Sequence, residues 1–227
     1  GAGRGIGSEL CRQMLECAPS KIVLFDPSER ALADMDRALR PQAEAAGVEL
    51  VLSLGTITHG AQVRMILKEQ GVQVVLHAAG YKNRQMVEQN ALEGARINVL
   101  GAHAVATAAA EAGVDRFILI STEHAARPST LVGATKRVAE LIVQDLAVRS
   151  DKTRFTIVRF GAAQGSYGAI VPLLQRQIRA GGPVRLTHPD ATRFFMTLPE
   201  TARLVLLAGA FGKGGDVCVL DAGQPVR

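Results

Sequence analysis

Short apolar runs alternate with helix-length segments along the first 160 residues of the chain. Five of these runs predict strands, at Lys21–Phe25, Val48–Leu52, Val72–Leu76, Phe117–Ile120 and Thr153–Val158. The segments before and between them predict helices, at Ile6–Cys17, Ser28–Ala46, Ala61–Gln70, Ala91–Ala112 and Val132–Val148. Such alternation is typical of an α/β domain, in which helices cover both faces of a parallel sheet.

A glycine-rich segment, GAGRGIG, leads into the first predicted helix. Its glycines allow the backbone to turn tightly and approach a pyrophosphate at the amino terminus of that helix. The candidate cofactor-binding residues here are Gly1, Gly3, Arg4, Gly5, Ile6 and Gly7. Asp26 follows nineteen residues after Gly7, close to the spacing of the acid that binds an adenosine ribose hydroxyl. The pattern predicts a Rossmann-type doubly wound sheet that binds NAD.

Two questions about this glycine segment stay open. The guanidinium of Arg4 can accommodate a ribose 2′-phosphate, so NADP remains an alternative cofactor. A phosphate-binding turn also normally follows a strand, and no strand precedes Gly1. We therefore expect the first strand to lie in a longer protein, which could carry an N-terminal membrane anchor.

The composition changes after Gly165, where glycine and proline separate shorter elements. A helix is predicted at Ile170–Arg179, a strand at Val184–Leu186 and a helix at Pro199–Leu207. We expect residues 1–160 to form the dinucleotide-binding domain and residues 161–227 to form part of a smaller substrate lobe.

Composition limits the classes of partner. The net charge is +5, but the basic residues are spread along the chain and aromatic residues make up only 4%, which argues against a nucleic-acid partner. No apolar run approaches the roughly 20 residues of a spanning helix, so no membrane contact is expected from this segment. The three cysteines form no CxxC pair, which favours reduced packing thiols in a cytoplasmic protein and no metal site.

The segment Phe117–Arg137 is where the chemistry is expected. Its apolar strand ends at Ser121, and the next residues are Thr122, Glu123 and His124, whose side chains can hydrogen-bond or transfer protons. Ligands of open α/β sheets bind at the carboxyl ends of the strands. Lys136 follows on a helix. The alternative is that the serine or threonine caps a turn and the charged residues are solvated.

A second candidate stretch follows the strand that ends at Leu76. Ala78, Ala79 and Gly80 are small enough for a cofactor to approach closely. His77 is expected to be a buried histidine at the strand end rather than a functional group. Asn98, on the sheet-facing side of the next predicted helix, requires a hydrogen-bond partner.

Several segments together resemble the extended short-chain dehydrogenase/reductase family, in particular its CapD-like polysaccharide-biosynthesis group, typified by UDP-N-acetylglucosamine 4,6-dehydratases. These segments are IGSELCRQ (6–13), LFDPSE (24–29), HAAGYK (77–82), INVLGA (97–102), VDRFILIST (114–122), GATKR (133–137), VRFG (158–161) and GGPVRLTHPDATRFFMT (181–197). The resemblance implies a tightly held nicotinamide cofactor and a UDP-linked N-acetylhexosamine, whose C4 hydroxyl is oxidised before water is lost between C5 and C6.

The resemblance implies roles for Lys136 and for the substrate-binding residues, whereas the roles of Glu123, His124 and Thr122 are predicted from the chemistry of their side chains. Lys136 bonds the nicotinamide ribose, and the candidate substrate-binding residues are Tyr81, Lys82, Arg159 and Arg193, the two arginines lying near the diphosphate. Glu123 is predicted to protonate the C6 leaving group and His124 to take the C5 proton. Thr122 is predicted to hydrogen-bond the C4 oxygen. We also expect a homo-oligomer.

The sequence departs from the family pattern at the positions that are expected to carry out the reaction. The family's tyrosine or methionine is Val132 here, its aspartate and lysine are Glu123 and His124, and an asparagine is replaced by Ala162. Two alternatives to a dehydratase therefore remain: a catalytically silent NAD- or nucleotide-sugar-binding homologue, and another short-chain oxidoreductase or epimerase.

Overall fold

The computed structural model describes residues 1–164, 170–185, 188, 190, 192 and 194–226. Its helices are α1 (Ile6–Glu16), α2 (Glu29–Ala45), α3 (Gly60–Glu69), α4 (Arg84–Gln89), α5 (Ala91–Ala95), α6 (Ala102–Ala112), α7 (Leu131–Arg149), α8 (Ile170–Arg179) and α9 (Leu198–Phe211). Its strands are β1 (Lys21–Asp26), β2 (Glu49–Leu54), β3 (Val74–His77), β4 (Arg116–Ile120), β5 (Arg154–Arg159), β6 (Ala162–Gln164), β7 (Phe195–Thr197) and β8 (Val217–Val219). A π-helical segment (Arg96–Gly101) joins α5 to α6, and a 3-10 turn (Glu123–Ala125) follows β4.

The strands form parallel sheets, as the alternating pattern predicted. β1 pairs with β2, while β3, β4, β5 and β8 form a four-stranded sheet in that order. In the four-stranded sheet Phe117 lies opposite Phe155 on the neighbouring strand. Every strand pair in the described part of the chain is parallel. The α/β class is confirmed.

The central strands β4 and β5 are mainly apolar between their ends because both of their faces are covered. Phe117 and Phe155 are fully buried against α6 and α7, in a cluster that includes Val105 and Val143. Ile118 and Val158 point to the opposite face, where they pack with Leu10 of α1 and Val205 of α9. Successive strand side chains alternate between the faces, so each strand contributes to both layers of the core.

Part of the predicted substrate lobe, residues 161–227, packs on the main sheet. β8 pairs with β5 in the main sheet, and α9 packs on the same face as α1. The physical reason is the apolar side of α9, since Ala202 and Val205 are buried against the central strands. The predicted helix at Ile170–Arg179 is confirmed as α8. Val184 and Arg185 are not in a strand, and Leu186 lies outside the described residues.

The helix predicted at Ala91–Ala112 is interrupted rather than continuous. Residues 96–101 adopt π-helical geometry, which places the Asn98 side chain in the interior. The preceding helix α4 was not predicted; Asn83 caps it by accepting a hydrogen bond from the Met86 amide. No helix among the described residues is both long and apolar enough to span a membrane.

Candidate functional site

The glycine loop lies against the carboxyl end of β1. The Gly3 amide donates to Oδ2 of Asp26 at 3.0 Å, and the Ser28 amide donates to Oδ1 of the same carboxylate at 3.0 Å. Gly7, in the first turn of α1, packs so closely on the loop that a Cβ there would collide with the Gly1 carbonyl oxygen. The predicted acid is therefore at the loop, where its carboxylate also fixes the backbone.

The same loop contacts the end of β3. A Cβ on Gly1 would lie 2.6 Å from the Ala79 amide nitrogen, so the loop and the Ala78–Ala79 backbone are in direct contact. Arg4 is exposed. The sequence motifs around Gly1, Asp26 and Ala79 thus meet at one edge of the molecule.

Lys136 projects from α7 into the interior at the carboxyl end of β4. Its side chain is buried, and Nζ donates to the Ile120 carbonyl at 3.0 Å. Burial lowers the pKa of Lys136 to about 8, an effect that Lys82 increases and Glu140 opposes. A lysine on a helix is usually solvated, so this buried amine is the clearest functional signal in the structure.

Gly80 leaves room beside this amine. Its φ of 148° lies in the region that side chains rarely adopt, and a Cβ there would be 3.2 Å from Nζ of Lys136. The loop after β3 therefore brings backbone, not side chain, to the buried lysine. This cradle fits a dinucleotide, because a ribose hydroxyl can reach the amine without a steric barrier from Gly80.

Asn98 fixes the position of that loop. Its Oδ1 accepts from the Tyr81 amide at 2.7 Å, and its Nδ2 donates to the Tyr81 carbonyl at 2.9 Å and to Oγ1 of Thr135 at 3.1 Å. The asparagine is thereby satisfied, as its predicted burial required. It ties the loop after β3 to the residue next to Lys136 on α7.

The group after β4 is more exposed than the predicted roles require. Oγ1 of Thr122 donates to Glu123 at 3.0 Å, and the His124 and Glu123 side chains approach within 3.6 Å. The His124 and Glu123 side chains are 67% and 48% exposed. They are adjacent, as predicted, and both are open to solvent. Val132 is buried and carries no ionisable group.

Arg159 forms an ion pair that the sequence did not predict. Its Nε donates to Oε1 of Glu140 at 2.8 Å and its Nη2 donates to Oε2 at 2.6 Å. This bidentate pair fixes the orientation of the guanidinium, and its predicted contact with a substrate diphosphate stays a prediction. Glu140 itself was missed; its sequence signal is a carboxylate four residues after Lys136, one helical turn along α7.

The other predicted substrate-binding residues are Tyr81, Lys82 and Arg193. Tyr81 and Lys82 follow Gly80, and Nζ of Lys82 lies 3.8 Å from the position that a Cβ on Gly5 would occupy. Lys82 therefore faces the glycine loop, and burial lowers its pKa. Arg193 lies outside the described residues.

His77 is buried, as expected, and its ring stacks on Phe117 with centroids 5.9 Å apart. Burial, followed by the charge of Lys136, lowers the pKa of His77 to about 3, so the ring is neutral. Cys17 is exposed, which differs from the predicted packing role. Among the described residues, no three His, Cys, Asp or Glu side chains are grouped in a way that could hold a metal ion.

The family model described as polysaccharide biosynthesis protein matches residues 1–227, the whole of this sequence. The chain belongs to this family. The finding confirms the CapD-like, extended short-chain dehydrogenase/reductase resemblance drawn from the sequence.

One relative and two solved structures illustrate what the chain is similar to. The capsular polysaccharide biosynthesis protein CapD of Staphylococcus aureus is 42% identical over 227 residues, which cover 100% of this chain and 38% of CapD. Pen from Bacillus thuringiensis superposes with a TM-score of 0.92 at 26% identity, covering 100% of this chain and 68% of Pen. DesIV, a dTDP-glucose 4,6-dehydratase from Streptomyces venezuelae with NAD bound, has a TM-score of 0.84 at 22% identity, covering 99% of this chain and 75% of DesIV.

Proposed function

We propose that this polysaccharide biosynthesis protein is an NAD-dependent nucleotide-sugar 4,6-dehydratase that acts on a UDP-linked N-acetylhexosamine. The observation that carries the proposal is the buried amine of Lys136 beside Gly80, at the carboxyl end of β4. That position is where a doubly wound sheet binds its ligand. The likeness to CapD, and the NAD bound to the dehydratase DesIV, support the choice of reaction and cofactor.

The cofactor would lie across the glycine loop. Asp26 would accept from the adenosine ribose, Gly1 to Gly7 and Ala78 to Gly80 would pack against the dinucleotide, and Lys136 would donate to the nicotinamide ribose. The Asp26 carboxylate disfavours a 2′-phosphate by like-charge repulsion, so NAD is proposed over NADP. When bound, NAD would supply the acceptor for the C4 hydride.

The substrate would be held on the open side of the loop after β3. Lys82, near Gly5, is a cation available to diphosphate oxygens, and Tyr81 is its half-exposed neighbour. Arg193 remains a proposed diphosphate ligand from its sequence segment alone. Arg159, two of whose nitrogens bind Glu140, also stays a proposed diphosphate ligand.

The proton transfers are assigned to the turn after β4. Glu123 would protonate the C6 hydroxyl as it leaves as water, His124 would remove the C5 proton, and Thr122 would hydrogen-bond the C4 oxygen. Val132 cannot take the C4 hydroxyl proton. The two exposed side chains require the bound sugar to shield them from water if they are to act in this way.

A catalytically silent homologue that binds NAD or a nucleotide sugar is the second candidate. Two observations favour it: the apolar Val132 is buried where the family carries tyrosine or methionine, and Glu123 and His124 are solvent-exposed. Another short-chain oxidoreductase or an epimerase is the third candidate. Cytoplasmic location and homo-oligomeric assembly stay predictions, the latter tested by the molar mass in solution.

Incubation with a panel of nucleotide sugars separates these candidates. We expect one UDP-N-acetylhexosamine to lose the mass of one water without net formation of NADH. Glu123→Gln and His124→Ala should each slow this loss by roughly 100-fold, the contribution typical of a general acid or base. Glu111→Gln and His103→Ala, which change exposed helical residues of the same types, are the matched controls.

Each other outcome points to a different candidate. Unchanged rates in both Glu123→Gln and His124→Ala would remove the proton-transfer assignment. A wild-type protein that binds NAD but leaves every sugar unchanged would be the silent homologue. Accumulation of NADH would indicate a simple oxidoreductase, and a product of unchanged mass would indicate an epimerase.

A further inference from the structure

A fully buried carboxylate lies one helical turn beyond Lys136. Glu140 of α7 has 0% of its surface exposed and accepts four hydrogen bonds. Oε1 accepts from Oγ of Ser121 at 2.6 Å and from Nε of Arg159 at 2.8 Å. Oε2 accepts from Nη2 of Arg159 at 2.6 Å and from Nη1 of Arg137 at 3.1 Å.

These bonds join three elements of the site. Ser121 is the first residue after β4 and is followed directly by the Thr122–His124 turn, while Arg159 is the last residue of β5. α7 supplies both Glu140 and Lys136. A single side chain thus fixes the helix that carries the buried amine against two adjacent strand ends.

Two positively charged arginines, Arg137 and Arg159, surround the single negative charge of Glu140. Burial, the largest effect, opposes ionisation, but hydrogen bonds from Arg159, Ser121 and Arg137 together lower the pKa of Glu140 below its usual value. It is therefore an anion at neutral pH. Buried ion pairs often add little net stability compared with apolar residues of the same volume, so stability alone does not explain this carboxylate.

Lys136 and Glu140 lie one turn apart on α7 and bond adjacent residues at the end of β4, since Nζ of Lys136 donates to the Ile120 carbonyl at 3.0 Å and Glu140 accepts from Ser121. The charged side chains that act on Lys136 are Glu140 and Lys82, the latter from the loop after β3, and the charge of Lys136 acts in turn on His77. Burial and Lys82 favour the neutral amine, and Glu140 opposes them. Without the carboxylate, the amine would lose its proton at a lower pH.

We infer that Glu140 is a positioning residue. It holds the Lys136 ammonium in place to face the dinucleotide, and it holds the turn after β4 in place through Ser121. The inference rests on the proposed NAD site. It assigns to the α7 carboxylate a role in cofactor binding that it performs without touching the cofactor.

The test is the pH dependence of NAD binding to the purified protein, measured by calorimetry between pH 6.5 and 9.5. Because NAD carries net negative charge, wild-type affinity should fall as pH rises through about 8, where Lys136 loses its proton. Lys136→Gln should weaken binding by about tenfold at pH 7 and abolish this fall, which assigns it to Lys136. Glu140→Gln should move the midpoint lower by about one pH unit.

Asp145→Asn is the matched control for Glu140→Gln. It removes the same charge from the same helix, but Asp145 is exposed and pairs with Arg149. The pH midpoint of the fall in NAD affinity should be the same in Asp145→Asn as in the wild type. A merely structural role for Glu140 would lower the unfolding temperature and leave the midpoint unchanged.

Glu140→Gln leaves Arg159 without its buried anion, which can destabilise the fold. The double variant Glu140→Gln with Arg159→Met removes both charges and keeps an apolar group of similar length. It should retain the folded circular dichroism spectrum, and because a cation is removed together with the anion, its midpoint should lie between those of Glu140→Gln and the wild type. A wild-type midpoint in both folded variants would overturn the inference and leave the proposed NAD site standing. Absence of NAD binding by the wild type would overturn both.

Discussion

At the scale of single residues, we propose that Asp26 decides which dinucleotide the loop accepts. Asp26→Asn removes the charge and keeps an acceptor for only one of the Gly3 and Ser28 amides, because these amides donate to different carboxylate oxygens. We expect NAD to bind about tenfold more weakly, because a hydrogen bond to a charged acceptor is lost, and NADP to be relatively favoured. Calorimetric titration of both dinucleotides measures the preference. Asp34→Asn, on the exposed side of α2, should change neither, and unaltered NAD binding in Asp26→Asn would mean that the acid is misassigned.

The positions of some site residues can be predicted from the sequence, and those of others cannot. Asp26 and Lys136 follow from local spacing, because the glycine turn and the helix after β4 fix where they point. The pair between Arg159 and Glu140 joins positions 19 apart in the chain through the packing of α7 on β5. No local pattern encodes that contact, so the sequence predicts neither the pairing of Arg159 nor a role for Glu140.

At the scale of elements, the π-helical segment at residues 96–101 holds the loop after β3 in place. Asn98→Ala would remove three hydrogen bonds and leave the Tyr81 backbone and the Thr135 hydroxyl without this partner. We expect a loss of about 1–3 kcal/mol in the free energy of unfolding, measured by urea denaturation. Asn90→Ala, on an exposed position, should cost less than about 0.5 kcal/mol. Equal losses in the two variants would contradict this account of Asn98.

The length and burial of a strand or helix decide whether the sequence predicts it. The sequence predicts β4 and β5 to within a residue of their ends because both of their faces are buried, which produces mainly apolar runs. β6, β7 and β8 each have three residues, too few to show a period, and they depend on the strand beside them. The π-helical segment has ordinary helical composition, so only the buried Asn98 indicated that the helix was special.

At the scale of the whole molecule, the layers bring separate motifs to one edge. Parallel strands place the glycine loop, the end of β3 and the end of β4 on the same side of the sheet, and α7 adds Lys136. The class of fold followed from the alternation of strands and helices. The packing of α9 and β8 on the main layers did not follow from that alternation, because it depends on apolar contacts between distant parts of the chain.

The central claim is that the hydride removed from C4 returns to the same sugar. Incubation of the protein and NAD with UDP-N-acetylglucosamine deuterated at C4 tests it, with the product analysed by mass spectrometry and nuclear magnetic resonance. Loss of water between C5 and C6 of the 4-keto sugar leaves an alkene whose C6 accepts the returning hydride and whose C5 accepts a proton. The account predicts a 4-keto-6-deoxy sugar that carries deuterium at C6. Unchanged substrate, deuterium transferred to released NADH, or a C4 epimer of unchanged mass would contradict it.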